Sequence, residues 1–370
     1  MIVGVLKEIK AEENRVCMTP AGVEVMIANG HQVLVEKDAG KGSGFEDALY
    51  INAGAAIVDT AREIFDRCDM VMHVKEPLPS EYEMIREGQI VFTYLHLAAA
   101  EELTMALIKS KSICIAYETI QKADRSLPLL MPMSEVAGRM AIQQGAKYLE
   151  MVQGGHGVLL GGVPGVDPGK VVVIGGGIVG INAAKMACGL GAKVYILDMS
   201  LGRLRYLSDV MPANCFNLYS NPSTLRKLVS CADVVVGAVL IPGAKAPKLI
   251  TGDILKTMKP GSVLVDVAID QGGCFETSRA TTHTEPTYVV DNVVHYCVAN
   301  MPGAVPRTST MALTNATLPY AVEIANKGWK KAIRENNEIK LGANVIDGKI
   351  TYQAVADAFS LDYTPIDALL

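Results

Sequence analysis

Residues 170–180 read KVVVIGGGIVG, an apolar, β-branched run that enters a cluster of glycines and continues as INAAKMACGLGA. No other stretch constrains the fold as tightly. Gly175, Gly177 and Gly180 match G-x-G-x-x-G. In a strand–turn–helix unit the first glycine permits the tight turn and the second lets a pyrophosphate approach the backbone. The third lets the helix pack on the strand. The helix N-terminus, from Ile178 and Val179 onward, then offers unpaired N–H groups and a positive dipole end to phosphate. Alone the pattern is weak, but here a second apolar run, AKVYILD, follows the helix and ends at Asp198. An acid roughly twenty residues past the glycines is placed to accept from ribose hydroxyls and to repel a 2′-phosphate. That favours NAD over NADP. Arg203 nearby tempers the preference, although a basic residue there can equally flank the adenine.

The fingerprint begins only after nearly half of the 370 residues, and a chain of this length has room for two domains. The first ~128 residues alternate apolar runs (MIVGVLKE, HQVLVEKD, CDMVMHVKEP, QIVFTYLHLAA, SICIAYETI) with helical patterns, which implies a mostly parallel sheet. MPMSEVAGRMAIQQGAKYLEMV reads as a long connecting helix with Ser134 as a plausible N-cap. KVVVIGG, AKVYILDM, ADVVVGAVL and SVLVDVAID then read as successive parallel strands. The tail turns helical and most simply returns to the first domain. The expected fold is therefore α/β, with two Rossmann-like doubly wound parallel-sheet domains joined by long helices. A substrate domain is expected over 1–128 plus 307–370, and an inserted NAD-binding domain over 129–306.

Composition removes several classes. The net charge of −5 gives no basic surface for nucleic acid. No apolar run reaches bilayer length without a charge, Gly or Pro. The opening MIVGVLKEIKAEENR lacks the pattern of a signal peptide. The eight cysteines are scattered, with no C-x-x-C and no metal-ligand spacing with His. Reduced thiols in a cytoplasmic protein are expected.

Several polar residues stand out. Arg15, in EENRVCMTP, has a fork suited to a carboxylate, but also reads as a solvated loop arginine. Lys75 closes the strand DMVMHVKEP, where α/β ligands bind, or is simply an exposed strand-end lysine. His96, within the strand segment VFTYLHLAA, is either a satisfied core group or a proton carrier matched to neutral pH. Asp270 ends VLVDVAIDQGG at a strand end, whereas Asp266 inside that strand reads as structural. NMPGAVPRTST, with Asn300 and Arg307, reads as a Pro-rich loop crossing back between domains.

With these residues in view, the chain resembles the bacterial L-alanine dehydrogenase family essentially end to end. The likeness rests on RVCMTPAGV, GSGFED, VKEP, FTYLHLA, MPMSEVAGRMA, HGVLLGGVPGV, VVVIGGGIVG, DVAIDQGGCFETS and HYCVANMPGAVPRTST. Proton-translocating nicotinamide nucleotide transhydrogenases share the two-domain plan. The resemblance implies that Arg15 pairs with the carboxylate of alanine or pyruvate and that Lys75 holds and polarises the substrate carbonyl side. It makes His96 the general acid/base and gives Asp270 the water and ammonia steps. It further implies that Ser134 contacts cofactor phosphate or ribose, and that Asp198 and Arg203 hold the adenosine end. Ser220, Val239, Leu240, Val267, Ala268, Ile269, Arg279, Val298, Ala299, Asn300 and Met301 would line the rest of the NAD site, with Asn300 near the nicotinamide. Some relatives carry a metal on a Glu and a His of the late helix. Here Glu323 is present but Lys327 stands where the His would be, so no metal is expected. The family also implies a homohexamer, and closure of the two domains over L-alanine, pyruvate and ammonia. Two rivals stay open: an oxidoreductase making an opine or saccharopine, and a partner-dependent NAD(H)-binding subunit of the transhydrogenase kind.

Overall fold

The computed structural model describes residues 1–239 and 246–370. Its chain divides into two compact units, residues 1–133 with 305–370, and residues 134–304.

The first unit opens with β1 (Ile2–Val5), β2 (Gln32–Glu36), β3 (Ala56–Val58), β4 (Met70–Met72), β5 (Ile90–Thr93) and β6 (Ile113–Ala116). All six pair in parallel, in the order β3-β2-β1-β4-β5-β6. β4, β5 and β6 are buried at every position. That is why they read as continuous apolar runs rather than as alternating ones: helices cover both faces of a parallel sheet. The helix Pro20–Ala28 shows the local logic of the connections. Thr19 accepts the Gly22 N–H at 3.2 Å as N-cap, proline occupies the first turn, and Gly30 at φ 82° turns the chain into β2.

The second unit contains β7 (Lys170–Ile174), β8 (Lys193–Asp198), β9 (Cys215–Tyr219), β10 (Val234–Gly237), β11 (Val263–Asp266), β12 (Thr287–Val290) and β13 (Val293–Tyr296). Among the described residues the order is β12-β13-β11-β10-β7-β8-β9, parallel except for the β12–β13 hairpin. Side chains of β7 alternate between two cores: Val171 and Val173 enter one, Val172 and Ile174 the other. This is the period of two expected of a strand buried on both faces.

The tail returns to the first unit through the helix Pro306–Lys327. It also adds two strands absent from the sequence reading, β14 (Ala343–Ile346) and β15 (Lys349–Ile350). β14 lies antiparallel on β6 and extends that sheet to eight strands. Both units thus share one doubly wound strand order with a switch point, at β1/β4 in the first and β7/β10 in the second. Ligands in such sheets bind beyond the carboxyl ends of the strands at that point.

Candidate active site

In the first unit Arg15, Lys75 and His96 follow β1, β4 and β5, three neighbouring strands, at their carboxyl edge. Arg15 is not a solvated loop arginine, for it is only 2% exposed. Glu13, also buried, accepts its backbone N–H at 3.0 Å and its Nε–H at 2.7 Å, and pairs with Nη2. Nη1 approaches the Met133 sulfur at 3.0 Å. Burial works against the Arg15 charge, but the Glu13 hydrogen bond and charge outweigh it and raise its proton affinity. The guanidinium is thereby a fixed cation. Glu13 was not singled out in the sequence. The only trace of it is an acid two residues before the arginine in EENR.

Lys75 lies half-buried three residues beyond β4. Its backbone is held from both sides: Glu8 accepts its N–H at 3.3 Å, and Thr93 donates a hydroxyl to its carbonyl at 2.8 Å. His96 departs from the expectation of a strand residue. β5 ends at Thr93, and His96 is exposed in the left-handed region at φ 51°, ψ 36°. Glu118 imposes that turn by accepting the N–H groups of Leu95 at 3.2 Å and His96 at 2.6 Å. The ring stacks on Tyr94 with centroids 5.8 Å apart and planes within 8°. A non-glycine residue held at positive φ marks a conformation the surroundings enforce, a feature that concentrates at functional sites. A cavity of about 360 Å³ at the same edge is lined by Arg15, Glu13, Glu8, Lys7 and Asp38 among others, though Lys75 and His96 are not among its walls.

In the second unit the glycine turn behaves as its spacing implies. Gly175 has φ 104°, and a Cβ there would meet the Ala238 carbonyl at 2.6 Å. A Cβ on Gly180 would come within 1.8 Å of the Gly175 carbonyl. Around Gly177 there is open space: no atom lies within 4 Å of the added carbon. Gly177 is also the N-cap of the helix Ile178–Gly189, and no side chain caps that end. An uncapped helix N-terminus beside an open glycine is the cradle a pyrophosphate needs. Asp198 closes β8; its Oδ2 accepts the Gly176 N–H and its Oδ1 the Ser200 N–H, each at 2.8 Å. Arg203 donates its Nε–H to the Gly176 carbonyl and stacks on Tyr206. Ser220 donates its N–H to the Asp198 carbonyl at 2.9 Å, and Val239 lies beside Gly175. These residues fit a dinucleotide at the β7/β10 switch point.

The remaining candidates are more dispersed. Ser134 is the fourth residue of the helix Met131–Tyr148, so it is not the N-cap; the helix starts earlier, at Met131. Asp270 is not at a strand end either. β11 stops at Asp266, and Asp270 is exposed on the following 3-10 turn, Ile269–Gln271. Asp266 shapes that turn: fully buried, it accepts the N–H groups of Ala268 at 3.0 Å and Cys274 at 2.9 Å. Val267 bonds back to Gly237 at 3.0 Å, while Ala268 and Ile269 are buried. Val298 and Met301 are buried, Ala299 donates to Thr281 at 3.1 Å, and Asn300 has φ 60°. Arg279 lies over the Tyr288 ring at 4.0 Å. Leu240 falls outside the described residues. NMPGAVPRTST is not a loop throughout: the helix begins at Pro306, and Arg307 inside it donates to the carbonyls of Ser43 and Gly44. Glu323 is engaged by Lys327 at 2.8 Å and by the Asn336 amide at 2.8 Å.

Comparison with known proteins bears on both units. The family model described as Alanine dehydrogenase/PNT, N-terminal domain, matches residues 4–137, and its C-terminal counterpart matches residues 141–353. The chain belongs to the alanine dehydrogenase/PNT family. Members of the family similar to it include proteins named alanine dehydrogenase from Methanococcus maripaludis, 60% identical, and Halomonas elongata, 56% identical, each matched over all of both chains. A solved L-alanine dehydrogenase superposes with a TM-score of 0.95 at 51% identity, covering 97% of this chain and 99% of that one. A transhydrogenase from Sinorhizobium meliloti, 24% identical with a TM-score of 0.83 over 96% of this chain and 100% of that one, shares the fold. Among the described residues no helix is long and apolar enough to cross a membrane.

Proposed function

We propose that this enzyme is an NAD-dependent L-alanine dehydrogenase, interconverting L-alanine with pyruvate and ammonia. The observation that carries the reading is the placement of Arg15, Lys75 and His96 after three adjacent strands at one carboxyl edge. Arg15, held rigid by Glu13, pairs with the substrate carboxylate. Lys75 polarises the carbonyl oxygen of pyruvate and steadies the carboxylate side of alanine. In the oxidative direction His96 takes a proton from the substrate amine as the Cα hydrogen departs with its electron pair. Bound NAD supplies the hydride acceptor. Water then adds to the imine carbon, a step Asp270 assists by orienting the water. As the C–N bond breaks, the adduct's hydroxyl releases its proton to water to leave pyruvate, and His96 returns its own proton to the departing ammonia. The units divide the task. The first, residues 1–133 with 305–370, carries the substrate ligands. The second holds the cofactor through Gly175–Gly180, Asp198 and Arg203. Lys327, already paired with Glu323, leaves the late helix without the His that a metal would use, and the mechanism invokes no metal. A cytoplasmic homohexamer is part of the same proposal.

The reverse reaction tests it. Purified protein should consume NADH only when pyruvate and ammonium are both present. Consumption with pyruvate alone would mark a 2-hydroxy-acid dehydrogenase and contradict the assignment.

A further inference from the structure

The loop that carries Lys75 is tied down by buried charges that the proposed reaction does not use. Glu8 lies just after β1, and His73 and Glu81 flank the loop; all three are buried, His73 to 1% exposure. His73 Nδ1 is 3.1 Å from Glu8 Oε1, and its Nε2 is 3.1 Å from Glu81 Oε1. A neutral imidazole donates from one nitrogen only, and an ionised carboxylate only accepts. Both carboxylates also accept backbone N–H groups: Val74 donates to Glu8 at 2.6 Å and Leu78 to Glu81 at 2.8 Å. With both carboxylates serving as acceptors, each ring nitrogen donates to one of them. The result is an imidazolium clamped between two carboxylates, fastening residues 73–78 at both ends. Glu8 is its pivot, because the same Oε1 receives His73, Val74 and Lys75.

We propose that Glu8 is a positioning residue for Lys75, its carboxylate fixing the backbone from which the lysine ammonium meets the substrate. The inference rests on the reading of Lys75 as a substrate ligand. Glu81 is the outer brace, bonded to His73 and to the Leu78 N–H. A misplacement of about 1 Å at a substrate-positioning group can cost roughly 10²-fold in rate, so an anchor of this kind is visible in kinetics.

A double-mutant cycle tests it, using the full-length enzyme. Glu8→Ala should raise KM for L-alanine roughly tenfold or more, within the range a misplaced ligand can cost, with NADH affinity unchanged. In a Lys75→Ala background the same substitution should add nothing further, because the group it positions is gone. Equal losses in the two backgrounds would make Glu8 merely structural and overturn the inference, as would an unchanged KM for alanine. Glu8→Gln keeps the acceptor oxygen and loses the charge, so it carries the test if the alanine variant does not fold. A KM rise that vanishes in the Lys75→Ala background supports the role, and an unchanged KM, or an equal rise in both backgrounds, overturns it. Failure of the underlying reading looks different: wild-type enzyme inert toward L-alanine, or Lys75→Ala with wild-type kinetics. Either would remove the substrate role, and the inference with it.

Discussion

At the scale of single residues, the proposed chemistry concentrates in His96 and the groups that aim it. His96→Ala should lower kcat roughly 10²-fold or more, the usual cost of losing general acid–base catalysis, while leaving NADH binding intact. Near-normal turnover would remove His96 from the mechanism. Glu118 was invisible in the sequence because it lies 22 residues from His96 and touches only its backbone. Glu13, Glu8 and His73 were hidden for the same reason: pattern shows which residues are polar, not which of them meet. His73 also makes a prediction about pH. Burial alone would lower its proton affinity, but the charges and hydrogen bonds of Glu8 and Glu81 overcome this and lift its pKa from 6.5 to about 10. A raised pKa stabilises the fold fully below 6.5 and loses that contribution as pH climbs to about 10. Melting temperature followed from pH 6 to 10 should therefore fall for wild type, and His73→Gln should flatten that slope. Parallel slopes would contradict the clamped imidazolium.

At the scale of elements, the glycine turn is the most legible part of the chain and the most sharply testable. Gly180→Ala places a carbon 1.8 Å from the Gly175 carbonyl, so the helix must shift off the strand. Overpacking of this kind costs about 1–3 kcal/mol, and NADH titration should show markedly weakened binding. Asp198→Ala should lower the preference for NAD over NADP, read as a ratio of kcat/KM values, because the carboxylate that repels a 2′-phosphate is gone. An unchanged ratio would move cofactor selection elsewhere. KVVVI and VLVD were readable as strands because a parallel sheet buried on both faces favours continuous apolar, β-branched runs. β14 and β15 were not readable. Both are short and follow a long helical stretch: β14 is selected by pairing with β6, more than 200 residues away, and β15 forms the sheet edge by pairing with β14. The ends of β5 and β11 were overrun for a related reason: apolar composition continues through YLHL and VAI although the backbone has already turned.

At the scale of the whole molecule, the chain uses one doubly wound strand order twice, and the proposed mechanism gives each copy a different task. The second copy carries the glycine fingerprint. The first, at the same topological point, carries Arg15, Lys75 and His96 instead. Side-chain identity at a shared edge, rather than the fold, is what separates cofactor from substrate duty. The presence of two units was legible from the position of the fingerprint so far along the sequence. The pairing of Arg15 with Glu13 was not, because it depends on contacts in a loop without periodicity. The most direct measurement is NADH formation by the purified protein with L-alanine and NAD⁺, set beside D-alanine, saccharopine and NADP⁺. Rapid turnover confined to L-alanine with NAD⁺ is the predicted result. NADH binding without turnover of any amino acid would contradict it and identify the chain as a partner-dependent nucleotide-binding subunit.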